Sequence, residues 1–372
     1  MRIAFLTCHL TGTGHLVRTL ALADALEAAG AQPSVISGGI TPPHLAPVAA
    51  GRLVELPALH VPDFDYANPH GADGQPADAA LFAARGRAIA ETLSTVRPDV
   101  FVTETYPFGR RRLSAEYEAA IAAARAANPR VRIVASVRDV PEPPKRAERL
   151  AEAATRLRAF DRVLVHGEEA LVPLAASWPM PDGLLPMIRH TGYVGAQTSE
   201  TAPRGGEILV SVGGGLLGRA LLDRAIEAAR LSDRPWRLLV GGPDAVEIAR
   251  RLGTGAPDRV TVEPARRDYR RLLAGAAASV SLAGYNTAMD LAGVETPALL
   301  VPFEERGERE QRIRADLLAR FAGIETASLG DLTAEALARR AECLAEGPRR
   351  ARLPIAADGA ARAAAELIGL AA

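Results

Sequence analysis

From end to end the chain repeats one unit, a short β-branched apolar run followed by a glycine- or polar-rich turn and then an Ala/Leu-rich amphipathic stretch. A strand that feeds a helix and returns to a strand is βαβ grammar, which requires parallel sheets with helices on both faces. In the first half, strands are expected at 2–7, 33–37, 53–56, 100–103, 131–136 and 162–166, with helices at 15–28, 78–95, 114–127 and 145–159. A strand-like stretch at 190–194 leads into residues 196–206, which are polar, turn-rich and without periodicity, as an interdomain linker would be. A second βα series has strands at 208–212, 236–240, 260–262, 278–281 and 298–301. The fold class is therefore α/β, with a Rossmann-like domain over 1–195, a linker over 196–206 and a second Rossmann-like domain over 207–355. The segment 356–372 carries a last helix, about 359–370, that is expected to pack back on the first domain. Two such units put a cleft between them, a common place for ligands.

A chain of 372 residues can bury two cores of this kind. Its 44 basic and 44 acidic residues cancel, so no overall field draws it to nucleic acid. Lys145 is the only lysine and lies in a proline-flanked loop, which removes a GxxxxGK[ST] phosphate loop and leaves little scope for Schiff-base chemistry. Cys8 and Cys343 stand far apart, so neither a disulfide framework nor a CxxC metal site can be written. Residues 1–7 enter a strand pattern with no basic leader, and no run reaches roughly 18 apolar residues. These features predict a cytoplasmic protein with no transmembrane segment, for which peripheral contact with a membrane surface is allowed.

The first strand-to-helix turn reads Cys8-His9-Leu10-Thr11-Gly12-Thr13-Gly14-His15. Gly12, Thr13 and Gly14 let backbone amides approach a ligand at a helix N-terminus. The dinucleotide fingerprint is incomplete here, because Val17 stands at the third glycine and Gly38-Gly39 where a ribose-binding acid belongs. His15 would face the cleft, where a neutral imidazole can take a proton from a hydroxyl; a helix-starting histidine that only hydrogen-bonds the turn fits equally. Glu104, after the strand at 100–103, and Asp139, in Val137-Arg138-Asp139, are further candidates for base or acceptor contact.

In the second domain Gly213, Gly214 and Gly215 open a GxGxxG turn ending at Gly218, compatible with phosphate binding or with tight strand-to-helix packing alone. Ser281-Leu282-Ala283-Gly284-Tyr285-Asn286-Thr287-Ala288-Met289-Asp290 ends a strand and opens a helix. Gly284 admits close approach, free amides near Asn286 and Thr287 can hold a diphosphate, and Thr287 and Asp290 share one helical face. Asn286 or Thr287 acting only as a cap is the alternative. The run Glu304 to Gln311 follows another strand end, so Glu310 and Gln311 are placed to bond sugar hydroxyls. Asp63-Phe64-Asp65 has the spelling of a metal-binding DxD pair, but reads as a solvated loop; no metal and no cofactor are expected.

The motifs Ser-x-x-Gly-Tyr-Asn-Thr at 281–287, Pro-Ala-Leu-Leu-Val-Pro at 297–302 and Arg-Glu-Gln at 309–311 resemble the C-terminal half of the MurG-like glycosyltransferases. The likeness extends to Gly-Thr-Gly-His at 12–15 with Arg18, and to Arg97-Pro98-Asp99 before Thr103-Glu104. It implies the GT-B fold, two Rossmann-like domains facing each other across a cleft, and a nucleotide-diphosphate sugar, commonly UDP-linked, held by the C-terminal domain. By position, Gly213 to Gly215 and Gly284 to Thr287 would flank the diphosphate, Asp290 the ribose, and Glu310 and Gln311 the sugar. A small-molecule, lipid-linked or glycan acceptor would lie against Gly12, Thr13, Gly14 and Arg138. Asp290 replaces the family's glutamate, Glu295 a glycine and Glu310 the glutamine of the peptidoglycan enzyme, which leaves the sugar open.

The expected reaction is metal-independent, inverting transfer to a hydroxyl, with His15 as base and Glu104 and Asp139 in reserve. Nucleotide-sugar hydrolysis or epimerisation on the same fold, and binding of a sugar nucleotide without turnover, are the alternatives.

Overall fold

In the computed structural model the described residues are 1–41, 45, 51–62, 65–195, 199–212, 218–242, 244–304, 307–356 and 358–371. The chain divides into two compact units, Met1–Gly195 with Ala356–Ala372, and Ala196–Ile355.

The first unit runs β1 (Arg2–Thr7), α1 (Gly14–Ala28), β2 (Gln32–Gly39), β3 (Leu53–His60), β4 (His70–Gly71), α2 (Ala79–Val96), β5 (Val100–Glu104), α3 (Ser114–Ala127), β6 (Arg132–Arg138), α4 (Ala147–Leu157), β7 (Arg162–His166) and β8 (Ile188–His190). Its sheet has the order β4-β3-β2-β1-β5-β6-β7-β8 and is parallel except where β4 pairs with β3. The second unit runs β9 (Ile208–Val212), α5 (Arg219–Arg230), β10 (Trp236–Val240), α6 (Ala245–Gly253), β11 (Val260–Pro264), α7 (Tyr269–Gly275), β12 (Ala278–Ser281), α8 (Tyr285–Ala292), β13 (Ala298–Leu300), α9 (Glu310–Leu318), β14 (Ile324–Thr326) and α10 (Ala334–Glu346). Its sheet, β11-β10-β9-β12-β13-β14, is parallel throughout. The last helix, α11 (Gly359–Ala371), returns to the first unit.

Strands such as β5 and β12 are buried at every residue, as sheets covered on both faces require. Strands β1, β7, β9, β10 and β12 and helix α3 begin and end where the periodicity predicts. Asp78 caps α2 by accepting from the Leu81 amide at 2.8 Å, and Thr333 caps α10 from the Ala336 amide at 3.2 Å. On α11, Ala363, Ala364 and Leu367 share a core with Leu16, Leu20 and Ala23 of α1, and Arg362 pairs with Glu168 at 3.1 Å.

Several boundaries differ from those the periodicity predicts, β2, β6 and β11 among them. Strand β3 runs past its expected end at 56 to His60, and His70–Gly71 adds an antiparallel strand that the periodicity does not predict. The strand expected at 190–194 lies earlier, at Ile188–His190, because Gly192 at φ 82° turns the chain away. Helix α4 is shorter at both ends than 145–159.

In each sheet the strand order reverses at one place, between β1 and β5 in the first unit and between β9 and β12 in the second. Ligands of open α/β sheets bind outside the strand carboxyl ends at such a reversal.

Candidate active site

The reversal in the first unit brings together residues that stand far apart in sequence. His15 lies in the first turn of α1 after β1, and Glu104 is the last residue of the adjacent β5. His15 Nδ1 is 2.9 Å from Glu104 Oε1, 3.1 Å from Arg18 Nη2 and 3.2 Å from Thr105 Oγ1. Arg18, one helical turn beyond His15, also pairs with Glu104 Oε1. Thr105 is held at φ 70°, a left-handed conformation that β-branched residues rarely adopt and that is concentrated at functional sites.

The charges follow from this packing. Burial raises the proton affinity of Glu104, but the Arg18 guanidinium and hydrogen bonds from His15 and Ser136 outweigh it, so its carboxyl is held well below the usual carboxylate range. The His15 imidazole is lowered to about 3 by burial first and then by the positive charge of Arg110, with Glu104 opposing. It is therefore neutral at physiological pH. An ionised Glu104 can only accept and Arg18 can only donate. With the Arg18 Nη2 hydrogen directed to Glu104 Oε1, which is also nearer to Nδ1 than Nη2 is, His15 donates from Nδ1 to the carboxylate and its Nε2 keeps the lone pair. The His15 side chain retains 19% exposure, against 1% for Glu104. A buried anion thus orients a neutral imidazole that still meets solvent.

Gly12 and Gly14 are exposed, with no atoms within 4 Å of a Cβ added at either. Thr13 stands at the N-cap of α1 without a side-chain capping bond. The α1 amides are therefore not covered by the cap side chain. Arg138, at the end of β6, is half-buried. Asp139 differs from the reserve role expected of it: it is fully buried, accepting from Tyr193 Oη at 2.9 Å and from the Val140 amide at 2.8 Å. That makes it an anchor for the turn after β6 rather than a group facing a substrate. At the end of β2, a Cβ on Gly39 would meet the His9 carbonyl oxygen at 2.1 Å. Protein thus occupies the place where a ribose-binding acid would stand in a dinucleotide fold.

In the second unit the equivalent reversal sets the ends of β9 and β12 side by side. Gly213, Gly214 and Gly215 lie outside the described residues, as does Asp63 of the DxD spelling. Gly218, which closes the GxGxxG pattern, would drive a Cβ to 2.2 Å from Val212 Cβ, so close strand-to-helix packing requires it. Gly284 behaves differently. It precedes α8 at φ −68°, and an added Cβ would meet nothing nearer than Thr287 Oγ1 at 3.9 Å. Neither its backbone nor the packing of its own chain demands a glycine. Helix α8 has no side-chain N-cap and no acidic residue in its first turn, so the helix start at Asn286 and Thr287 suits an anion.

The remaining donor-side candidates carry intramolecular duties. Asp290 pairs with Arg270 at 2.8 Å, and burial raises its proton affinity against that pairing. Glu310 pairs with Arg314 at 2.8 Å, and fully buried Arg314 donates to the Ala283 carbonyl at 2.7 Å. Gln311 Oε1 accepts from the amides of Ala283 and Phe303 at 3.0 and 3.1 Å, tying the turn after β12 to the turn after β13. Its amide orientation is thereby fixed, with the two N–H donors on the other side.

The sequence reading missed Ser136, His166, Arg270 and Arg314. Ser136 and His166 did carry a signal, since each is a polar residue at the end of an expected strand. Arg270 and Arg314 carried none, lying in arginine-rich helices.

No protein-family model matches the chain. It is 30% identical over 194 residues to the UDP-N-acetylglucosamine–N-acetylmuramyl-(pentapeptide) pyrophosphoryl-undecaprenol N-acetylglucosamine transferase of Azoarcus sp. (strain BH72), covering 49% of this chain and 54% of the relative. To the enzyme of the same name from Sorangium cellulosum (strain So ce56) it is 33% identical over 184 residues, 46% of this chain and 45% of that one. The matches thus span about half the length of these curated relatives. The MurG structure from Acinetobacter baumannii superposes with TM-score 0.61 at 16% identity over 99% of this chain and 94% of that one. The chain has the GT-B fold. CalG4, the calicheamicin glycosyltransferase, superposes with TM-score 0.59 at 14% identity over 100% and 94% of the two chains. A putative UDP-N-acetylglucosamine 2-epimerase from Listeria monocytogenes gives TM-score 0.60 at 14% identity over 99% and 95%. The expected GT-B fold is therefore present, with His15 and Glu104 at the reversal of the first sheet and Gly284 at that of the second.

Proposed function

We propose that the chain is a glycosyltransferase that moves a sugar from a nucleotide-diphosphate donor, UDP-linked, to a hydroxyl acceptor by metal-independent inverting displacement. The second unit takes the donor, with its diphosphate on the open amides of α8 beside Gly284, Asn286 and Thr287, and with Asp290, Glu310 and Gln311 toward ribose and sugar. Gly213 to Gly215 complete that reading from outside the described residues. The first unit takes the acceptor against Gly12, Thr13, Gly14 and Arg138. His15 Nε2 removes the acceptor proton while the acceptor oxygen attacks the anomeric carbon and the bond to the diphosphate breaks. A resting imidazole lowered to about 3 is a weak base, so the proton moves as that bond breaks, and the new imidazolium faces the Glu104 carboxylate. The departing charge is met by the positive end of α8.

The observation that carries this reading is the pairing of His15 with a buried, ionised Glu104 at the sheet reversal. A panel of nucleotides and nucleotide sugars, read by calorimetry and by nucleotide release with and without hydroxyl acceptors, tests it. Transfer that requires an acceptor and falls at least a hundredfold in His15→Ala is expected; full turnover by that variant, with unchanged donor binding, removes His15 from the role.

A second reading, nucleotide-sugar hydrolysis or epimerisation, draws on the likeness in fold to the putative 2-epimerase. It is distinguished by nucleotide release or sugar inversion in the absence of any acceptor. Binding without turnover would leave the donor intact in both assays. No helix among the described residues is long and apolar enough to cross a membrane, and Cys8 and Cys343 are free thiols. A cytoplasmic reaction with either a dissolved or a lipid-linked acceptor fits both observations.

A further inference from the structure

Behind Glu104 lies a row of polar side chains that the displacement does not use. Glu104 ends β5, Ser136 lies beside it on β6, and His166 ends β7. Ser136 Oγ is 2.5 Å from Glu104 Oε2 and 2.9 Å from His166 Nε2, and His166 Nδ1 is 2.9 Å from Thr191 Oγ1. Ser136 and His166 are fully buried, and Thr191 is 1% exposed. Polar groups sealed from water at this depth must satisfy one another, which makes their donor and acceptor roles determinate.

The direction of each bond follows from the charge at one end. Arg18 keeps Glu104 ionised, so its carboxylate only accepts. Ser136 has one hydroxyl hydrogen and gives it to Glu104 Oε2; its oxygen must then accept from His166 Nε2–H. Neutral His166, lowered to about 3 by burial, has its lone pair on Nδ1 and accepts from the Thr191 hydroxyl. The chain of donation thus runs from Thr191 through His166 and Ser136 to Glu104. Pinned at Oε2, the carboxylate cannot rotate to give both oxygens to Arg18, and Oε1 stays opposite His15 Nδ1.

We infer that Ser136 and His166 are positioning residues that hold His15 in the tautomer with a bare Nε2, acting through Glu104 on the orientation of the base. The kinetic part of this inference rests on the transferase reading above, while the structural part does not. An outer shell that fixes the tautomer of a functional histidine is a common way to tune its basicity.

The test labels the histidines of the full chain with 15N and reads the His15 ring shifts at pH 7.5 in ligand-free protein, assigned with a His15→Gln variant. Wild type is expected to carry its proton on Nδ1. Ser136→Ala should shift His15 toward the Nε2–H form and lower kcat at least tenfold with the donor KM within twofold. His166→Gln, whose amide both donates and accepts, should keep the wild-type tautomer and most of the turnover, whereas His166→Phe should behave like Ser136→Ala. A wild-type tautomer in folded Ser136→Ala overturns the inference, as does equal turnover in His166→Phe and His166→Gln. Because the tautomer is read without substrate, the Ser136→Ala spectrum decides the matter even where no transfer is observed or His166→Phe fails to fold.

Discussion

His15 Nδ1 lies 2.9 Å from Glu104 Oε1 across 89 residues of sequence, and the carboxylate that accepts from it is almost wholly buried. Glu104→Gln would keep the side-chain shape while removing the negative charge that faces the imidazolium. Under the proposed mechanism kcat should fall about ten- to a hundredfold, the size of a lost general-base contribution, with donor affinity unchanged by calorimetry. An equal loss in donor affinity would instead assign Glu104 to folding of the site.

Acid should destabilise the first unit through two histidines. His15 and His166 are both lowered from 6.5 to about 3, so between those values the unfolded chain binds protons that the folded chain does not. Stability therefore rises with pH over that window and falls on acidification. Each histidine contributes about 2 kcal/mol between pH 6.5 and 5. Glu104, whose folded value is also depressed, adds a loss of the same sign below its unfolded value near 4.5. Urea midpoints measured from pH 7 to pH 4.5 should decline, and His166→Gln should flatten the decline.

Two glycines that look alike in sequence should respond oppositely to alanine. At Gly284 a Cβ finds its nearest neighbour at 3.9 Å, so Gly284→Ala should leave the melting temperature within about 2 °C while weakening UDP binding roughly tenfold. At Gly218 the same Cβ would lie 2.2 Å from Val212 Cβ, and overpacking of this kind costs about 1–3 kcal/mol. Thermal unfolding and calorimetry on the two variants separate ligand approach from packing.

Gln311→Ala removes the acceptor shared by the amides of Ala283 and Phe303. Leaving part-buried amides unpaired costs about 1–3 kcal/mol each, so the variant should unfold at lower urea. Gln311→Glu retains the accepting oxygen and should recover stability while losing the outward N–H donors; its donor affinity then reports whether those donors meet the sugar.

Asp290→Ala should weaken nucleotide binding about tenfold and leave kcat at saturating donor within a few-fold, if the carboxylate meets the ribose. Its partner Arg270 supplies the control. Identical nucleotide affinity in wild type and Asp290→Ala, together with a shared stability loss in Arg270→Ala, would reduce the pair to a structural bridge.

The periodic signals carried the elements well because they are local. Residues 278–281 are a short apolar run that any parallel sheet would bury, and Ser114–Ala127 is an uninterrupted amphipathic helix. The glycine turns were visible for the same reason, since a strand, a turn and a helix start are contiguous. Their uses were not. Gly218 and Gly284 both end strand-to-helix turns, and only the distance to Val212 separates a packing glycine from an open one. Asp139 was plausible from its place after a strand, yet Tyr193 at 2.9 Å claims it from a segment 54 residues away.

By itself the sequence determined the βα alternation, the two units and the positions of the glycine turns, all set by apolar period and turn chemistry over a few residues at a time. It also supplied His15, Glu104 and Gln311 as chemically able side chains. Only the tertiary structure decided what each one touches, because charge and tautomer depend on neighbours that strand order brings in. Placing β5 beside β1 and β6 beside β5 set Glu104 against Arg18, His15 and Ser136, where the Arg18 guanidinium keeps the carboxylate an anion and burial keeps the imidazole neutral.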